Sequence, residues 1–282
     1  MAQLLKGKPV ADAIYSSLKN CVQAQGKRGI QPCLALVRVG NSSSDAAYQR
    51  SIISKAESIG VKVNVHEFES GVSQFDVEAV LESINADKSV HGCMIFRPLP
   101  NTLDELHLCN KIAPEKDIDG VCAASLAGIF AGVRESFSPC TAQACVEMLD
   151  YYGIDIAGRS VAVLGRSLVV GKPAAMLMLS RNATVTLCHS GTANLSEITR
   201  AADIVICATG RARAYGEEYF RAGHIVLDVG TNTDSDGMLC GDVDFAAVEP
   251  IVSAITPVPG GIGSVTTAVL LKHVVMSSEG RA

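Results

Sequence analysis

The chain has 282 residues, 48% of them apolar and 19% charged, which suffices for one large domain or two ordinary ones with buried cores. A formal charge of -5, with no basic run longer than two residues, argues against nucleic acid and anionic membrane surfaces as partners. No stretch approaches the length of a membrane span, and the absence of Trp with only 5% aromatics leaves few stacking platforms for single strands. A small-molecule ligand is what remains. The 10 cysteines form no C-x-x-C pair and mostly sit in apolar runs such as "IVICATG", and the N-terminus lacks a long apolar leader, so a reduced, cytoplasmic setting is expected.

Helical periodicity over residues 9–25 is followed by "PCLALVRVG" (32–40), a short apolar run that reads as a buried strand. Residues 44–59 read as the next helix, "KVNVHEF" alternates as a strand does, "FDVEAVLESINAD" returns to helix, and "VHGCMIF" is again a buried strand. Strands alternating with helices predict an α/β fold with a mainly parallel sheet, whose ligand site lies beyond the strands' carboxyl ends. Tyr48, Phe96, Arg97 and the loop "PEKDIDG" (114–120) follow such ends. In that loop Asp117 and Asp119 stand two apart, so at most one would enter a site; a solvated acidic loop is the other reading.

After "SPCTAQACVEMLDYYGI" the pattern restarts, with strands at 160–165, 183–188, 202–210 and 224–230. Two domains are expected: residues 1–140, and a second domain with its own parallel sheet over 141–264, with a closing helix at about 265–282 that rejoins the first.

The strongest local signal is "VAVLGRSLVVGKP" (161–173), where a buried strand runs into Gly165, Arg166 and Ser167, and Gly171 opens a helix. Backbone N–H groups and the helix dipole there suit a pyrophosphate, although the spacing is neither a Walker loop nor G-x-G-x-x-G, and an ordinary βα turn has the same glycines. The next strand ends in "LCHSGT" (187–192), without the carboxylate that holds a ribose 2′-OH about 20 residues on in NAD sites. Arg166, Ser190 and Thr192 suit a 2′-phosphate instead, which favours NADP. Cys188 and His189 alone make a poor metal pair, so no metal is expected. In "ITPVPGGIG" (255–263), prolines fix φ and Gly260 and Gly261 admit close backbone approach, a suitable wall for a flat ring or simply a rigid turn.

Taken in order, "VGNSSSDAAY", "PEKDIDG", "SPCTAQA", "VLGRSLVVGKP", "CHSGT", "ADIVICATG", "VLDVGTN", "GDVDF" and "TPVPGGIGSVT" closely resemble the bifunctional methylenetetrahydrofolate dehydrogenase/cyclohydrolase family over nearly the whole chain. The resemblance implies two α/β domains flanking a cleft, a tetrahydrofolate derivative on the N-terminal domain, NADP on the Rossmann domain, and a homodimer. It implies Tyr48 stacking on the folate, Asp119 contacting the pterin, and Gly165, Arg166, Ser167, Ser190 and Thr231 contacting the cofactor.

The family pattern Ser-x-x-Tyr-x-x-x-Lys, followed by Val-Gln-Leu-Pro, is altered: Asp45 stands at the Ser position, Ile52 at the Lys, Phe96 at the Gln and Arg97 at the Leu. Ala142 and Ser264 replace family prolines. Hydride transfer chiefly needs positioning, whereas hydrolysis of the methenyl group needs a general acid–base contributing about 10²–10⁴-fold. The expected activity is therefore NADP-dependent oxidation of methylenetetrahydrofolate in one-carbon metabolism, with cyclohydrolase activity weakened or lost. Lys55, three residues beyond Ile52, is a substitute base or else a solvated helix residue. A non-catalytic folate/NADP binder and an NADP oxidoreductase with another substrate are the alternatives.

Overall fold

The computed structural model describes residues 1–133 and 136–280. The chain runs β1 (Gln3–Leu4), α1 (Gly7–Gly26), β2 (Cys33–Val39), α2 (Ser43–Ile59), β3 (Lys62–Phe68), α3 (Gln74–Ala86), β4 (Gly92–Ile95), α4 (Glu105–Lys111), α5 (Ala123–Ala131) and α6 (Cys140–Tyr151). It continues through β5 (Ser160–Leu164), α7 (Gly171–Leu179), β6 (Thr184–Cys188), α8 (Leu195–Ala201), β7 (Ile204–Cys207), β8 (Ile225–Asp228), β9 (Asn232–Thr233), β10 (Leu239–Cys240), α9 (Phe245–Val248), β11 (Ala254–Ile255) and α10 (Gly263–Ser278). Residues 281–282 of the expected closing helix lie outside the described residues.

Two compact units result, Met1–Asp12 with Thr141–Thr266, and Ala13–Cys140 with the chain from Thr267 onward. The second holds a parallel three-stranded sheet of order β3-β2-β4, in which β2 pairs from Cys33↔Lys62 to Val39↔Phe68. As the central strand, β2 buries every side chain but Arg38, while the edge strand β3 buries none completely and leaves even Val65 exposed. Against one face pack Val77, Leu81 and Ile84 of α3, spaced four and three residues apart so that they share one helical stripe.

Helix α2 begins where the Ser42 hydroxyl accepts the Asp45 N–H (3.2 Å) and ends at Gly60, whose φ of 86° lets its N–H return to Ala56 and Glu57. Its buried stripe is Gln49, Ile52, Ala56 and Ile59. The end of α3 is capped differently: the buried Lys116 ammonium donates to the carbonyls of Ile84 (2.6 Å), Asn85 (2.9 Å) and Asp87 (2.7 Å). These carbonyls lie where a helix runs out of its own donors, and burial pushes the Lys116 ammonium below its ordinary range.

The other unit is built on a parallel sheet of order β1-β11-β8-β7-β5-β6 with the β9–β10 hairpin beside it. The expected grouping of residues 1–12 with the first domain differs from this arrangement, because β1 extends the six-stranded sheet. The N–H groups of Gln3 and Leu5 donate to Ser253 (2.8 Å) and Ile255 (2.9 Å). A two-residue strand carries no periodicity, so only its distant partner defines it. Strands β7 and β8 are buried on both faces, as their continuous apolar runs require.

Replacing Lys116 with Met removes the donor from three carbonyls at once, and a charged hydrogen-bond group of this kind is worth roughly 1.5–3 kcal/mol. Urea denaturation should show Lys116→Met destabilised by about that amount, with the slope unchanged.

Candidate functional site

At the carboxyl end of β5 the chain turns at Gly165 with φ of 111°, and a Cβ there would sit 2.1 Å from the Ala208 carbonyl oxygen. A Cβ on Gly171 would sit 2.0 Å from the Gly165 oxygen, so α7 starts jammed against the strand end as only glycine allows. The Ser167 hydroxyl accepts the N–H groups of Val170 (3.1 Å) and Gly171 (3.4 Å) and braces the loop, leaving its own proton to donate. At the end of β6 the Thr192 hydroxyl accepts the His189 N–H (2.8 Å), and His189 Nδ1 accepts from Gly191 (3.0 Å), closing a tight turn that presents Ser190.

These strand ends surround a cavity of about 400 Å³ that takes in Gly165, Arg166, Ser167, Ser190 and Thr192. Thr231, Gly260 and Gly261 line a second, smaller cavity of about 190 Å³ in the same unit. The sequence reading missed Arg211, Tyr215 and Tyr219 in the larger cavity, where the two tyrosine rings meet edge to face with centroids 5.1 Å apart. Their signal was the segment "GRARAYGEEYF" after a strand end, with basic and aromatic residues that have no helical or strand period. Two cationic residues, hydroxyl donors, an aromatic wall and a glycine cradle suit a nucleotide cofactor carrying phosphates.

Two carboxylates hold these loops. Asp242 accepts the N–H groups of Thr209, Gly210 (3.1 Å) and Arg211 (2.9 Å), the Thr209 hydroxyl (2.9 Å) and the Asn232 amide (2.9 Å). Asp228 accepts the N–H groups of Gly230 (3.1 Å), Asp242 (3.0 Å) and Val243 (2.9 Å). Burial pushes the Asp228 carboxyl up to about 7, against the pull of those N–H groups.

In the other unit, Tyr48 of α2 meets Phe96 edge to face, centroids 6.0 Å apart at 79°. Phe96 is buried just past β4 and precedes Arg97, whose Nη2 lies 3.6 Å from Oδ2 of Asp119. Burial raises the Tyr48 hydroxyl above its usual range, opposed by a hydrogen bond with Thr267 of α10. Burial also lifts the Asp119 carboxyl to about 6; Arg97 pulls it down, Asp117 pushes it up, and a hydrogen bond with Cys140 lowers it. Asp117 is fully buried and accepts the N–H groups of Val121 (3.1 Å) and Cys122 (2.8 Å), so it shapes the loop while Asp119 pairs with Arg97. The solvated-loop alternative does not describe this geometry.

Ile52 has no exposed surface. Lys55 is exposed, with its ammonium 5.5 Å from the centre of the Tyr15 ring. The structure thus brings Tyr48, Phe96, Arg97 and Asp119 together and directs Lys55 to Tyr15. Among the described residues no group of three or more His, Cys, Asp or Glu is placed to hold a metal.

A parallel sheet with a glycine-cradled strand end, joined in one chain to a second α/β unit, defines a two-unit protein with a Rossmann-type nucleotide fold. Residues 139–282 match the family described as tetrahydrofolate dehydrogenase/cyclohydrolase, NAD(P)-binding domain, and residues 5–119 match the catalytic domain of the same name. The bifunctional protein FolD of Carboxydothermus hydrogenoformans is 49% identical over 281 residues, covering 99% of this chain and 98% of that protein. The crystal structure of the bifunctional FolD from Campylobacter jejuni superposes with a TM-score of 0.97 at 35% identity, covering 100% of both chains. The Trypanosoma brucei FolD, solved with NADP cofactor and an inhibitor, gives a TM-score of 0.91 at 33% identity, covering 99% of this chain and 98% of that one. The chain belongs to the tetrahydrofolate dehydrogenase/cyclohydrolase family.

Asp228 generates a pH prediction. Its folded value near 7 exceeds the unfolded carboxyl near 4, so between those values the folded state binds the extra proton. This group therefore makes stability fall as pH rises from about 4 to about 7, by up to roughly 1.4 kcal/mol per pH unit, and adds no slope above. Urea unfolding at pH 5 and 7.5 should show that slope in the parent and a smaller one in Asp228→Asn.

Proposed function

We propose that this protein oxidises 5,10-methylenetetrahydrofolate to 5,10-methenyltetrahydrofolate with NADP⁺, and that its cyclohydrolase activity is weak or absent. One observation carries the reading: the nucleotide cavity keeps its glycine cradle and cationic lining, while the folate-side position of the family lysine is a fully buried isoleucine and that of the glutamine is Phe96. The folate site belongs to the unit containing Tyr48 and Asp119, and the cofactor to the unit containing Arg166 and Ser190. A homodimer in the cytoplasm accompanies this reading; no helix among the described residues is long and apolar enough to cross a membrane.

NADP⁺ supplies the hydride acceptor. The chain's own part is positional: Arg166, Ser190 and the Ser167 hydroxyl receive phosphate, Gly165 and Gly171 let the backbone turn tightly beside it, and Tyr48 offers an aromatic face to the folate. None of these acts requires a proton to move, so oxidation survives the loss of the lysine. Hydrolysis does require one. Neither Ile52 nor Phe96 has a proton to exchange, and a guanidinium serves as a fixed charge and not as a general base.

Phe96 lying edge-on to Tyr48 favours a second reading, in which an NADP oxidoreductase takes a different substrate in this unit. Retained NADP binding with no tetrahydrofolate binding would select it.

Steady-state assays should find methylenetetrahydrofolate oxidised with NADP⁺ while methenyltetrahydrofolate is hydrolysed hardly faster than in buffer. Ile52→Lys alone forfeits the packing of a fully buried side chain, about 1.5–3 kcal/mol, and desolvates an ammonium. The double change Ile52→Lys with Phe96→Gln should recover more hydrolysis than the two singles combined. Robust hydrolysis by the parent that survives Lys55→Met contradicts the reading; hydrolysis abolished by Lys55→Met assigns the role to Lys55. For the cofactor, Arg166→Ala should raise the Kd for NADP about tenfold or more and that for NAD much less, measured by fluorescence titration. Equal losses would remove Arg166 from the 2′-phosphate.

A further inference from the structure

Leucine stands in the family pattern where this chain has Arg97, and the guanidinium has a partner. Its Nη2 is 3.6 Å from Asp119 Oδ2, and both side chains keep about a fifth of their surface, 22% and 21%. We propose that Arg97 is a positioning residue for Asp119, the carboxylate assigned above to the pterin, so that this ion pair forms the polar end of the substrate site. The inference rests on the functional reading just given.

The groups facing Asp119 come from several elements: Tyr48 of α2, Cys109 of α4, Asp117 of its own loop and Cys140 at the start of α6. Cys140 in turn lies 3.8 Å from Nδ1 of His273 in α10. In these surroundings the Arg97 cation opposes what burial and Asp117 do to the carboxyl, which nevertheless sits near pH 6. Without Arg97, Asp119 would take up its proton closer to neutrality. That matters chemically, because a pterin edge carries adjacent ring N–H and amino donors. A carboxylate accepts from both, whereas a carboxylic acid has exchanged one acceptor for a donor.

The pair's length fits the role. At 3.6 Å it is an ion pair and not a tight charge-assisted hydrogen bond, so Arg97 supplies field and orientation while the carboxylate's lone pairs stay open to a substrate. The substitutions at 52 and 97 then form a set: position 52 of α2 carries no cation, and a guanidinium stands after β4. The site keeps a positive charge and gives up a proton carrier.

The test is calorimetric titration of tetrahydrofolate, under argon and without cofactor, into the full chain, Arg97→Leu and Arg97→Lys from pH 5.5 to 8.5. NADP binding to each variant reports that it is folded. The parent should bind with full affinity above about pH 6 and lose affinity below it, as Asp119 protonates. Arg97→Leu should weaken binding at pH 7 by about tenfold and move the acid limb upward by about one pH unit, while Arg97→Lys restores most of the profile. Asp119→Asn should bind weakly at every pH and lose the limb. A parent that fails to bind tetrahydrofolate overturns the functional reading and this inference together. A parent that binds and oxidises its substrate, with Arg97→Leu matching its affinity and pH profile, overturns the role of Arg97 alone. If Arg97→Leu fails to bind NADP, Arg97→Gln decides, since it keeps a polar side chain without the charge; an acid limb there unshifted from the parent's also overturns the proposal.

Discussion

Both cavities of the six-stranded unit depend on carboxylates turned inward onto backbone N–H groups. Asp242 gathers the turn after β7 and the Asn232 side chain, and Asp228 gathers the backbone at Gly230, Asp242 and Val243. Loops at strand ends have no ladder to satisfy their donors, and a buried N–H without a partner costs about 1–3 kcal/mol. The two aspartates remove that penalty from several donors at once. Neither carboxylate lines the larger cavity, where Arg166 and Arg211 face the space.

The three-stranded unit solves a different electrostatic problem. Asp119 is partly shielded from water and needs a favourable neighbour to remain charged; Arg97 and Cys140 provide one while Asp117, engaged by its own loop, works against it. Tyr48 and Phe96 supply apolar contact beside this pair. This side of the molecule therefore holds an ion pair beside an aromatic pair, while position 52 carries a buried hydrocarbon side chain.

Elements with strong periodicity could be read directly. The strand "KVNVHEF" coincides with the edge strand β3, and the apolar run before Gly165 with β5, an inner parallel strand that must be apolar on both faces. Strands β1 and β11 escaped notice: two residues define no period, and their pairing joins Gln3 to Ala254. The glycine cradle was legible because the close approach of Gly171 to Gly165 permits no other residue. Tyr215 and Tyr219 were not, since they lie in an irregular segment whose path is set by Asp242, far along the chain. Nor could sequence pair Arg97 with Asp119; the two loops meet only because β4 and the segment before α5 end on the same side of one unit.

Ile52 has a consequence for how this chain can change over evolutionary time. A surface lysine lost by one substitution is regained by one substitution. Here the side chain lies on a buried stripe with Gln49, Ala56 and Ile59, so an ammonium introduced by mutation enters a place filled by hydrocarbon and unsupported by Phe96. The intermediate on the way back is worse than either end. On the functional reading proposed above, position 52 acts as a ratchet: leaving lysine is permissive and regaining it is obstructed, until its neighbours move with it.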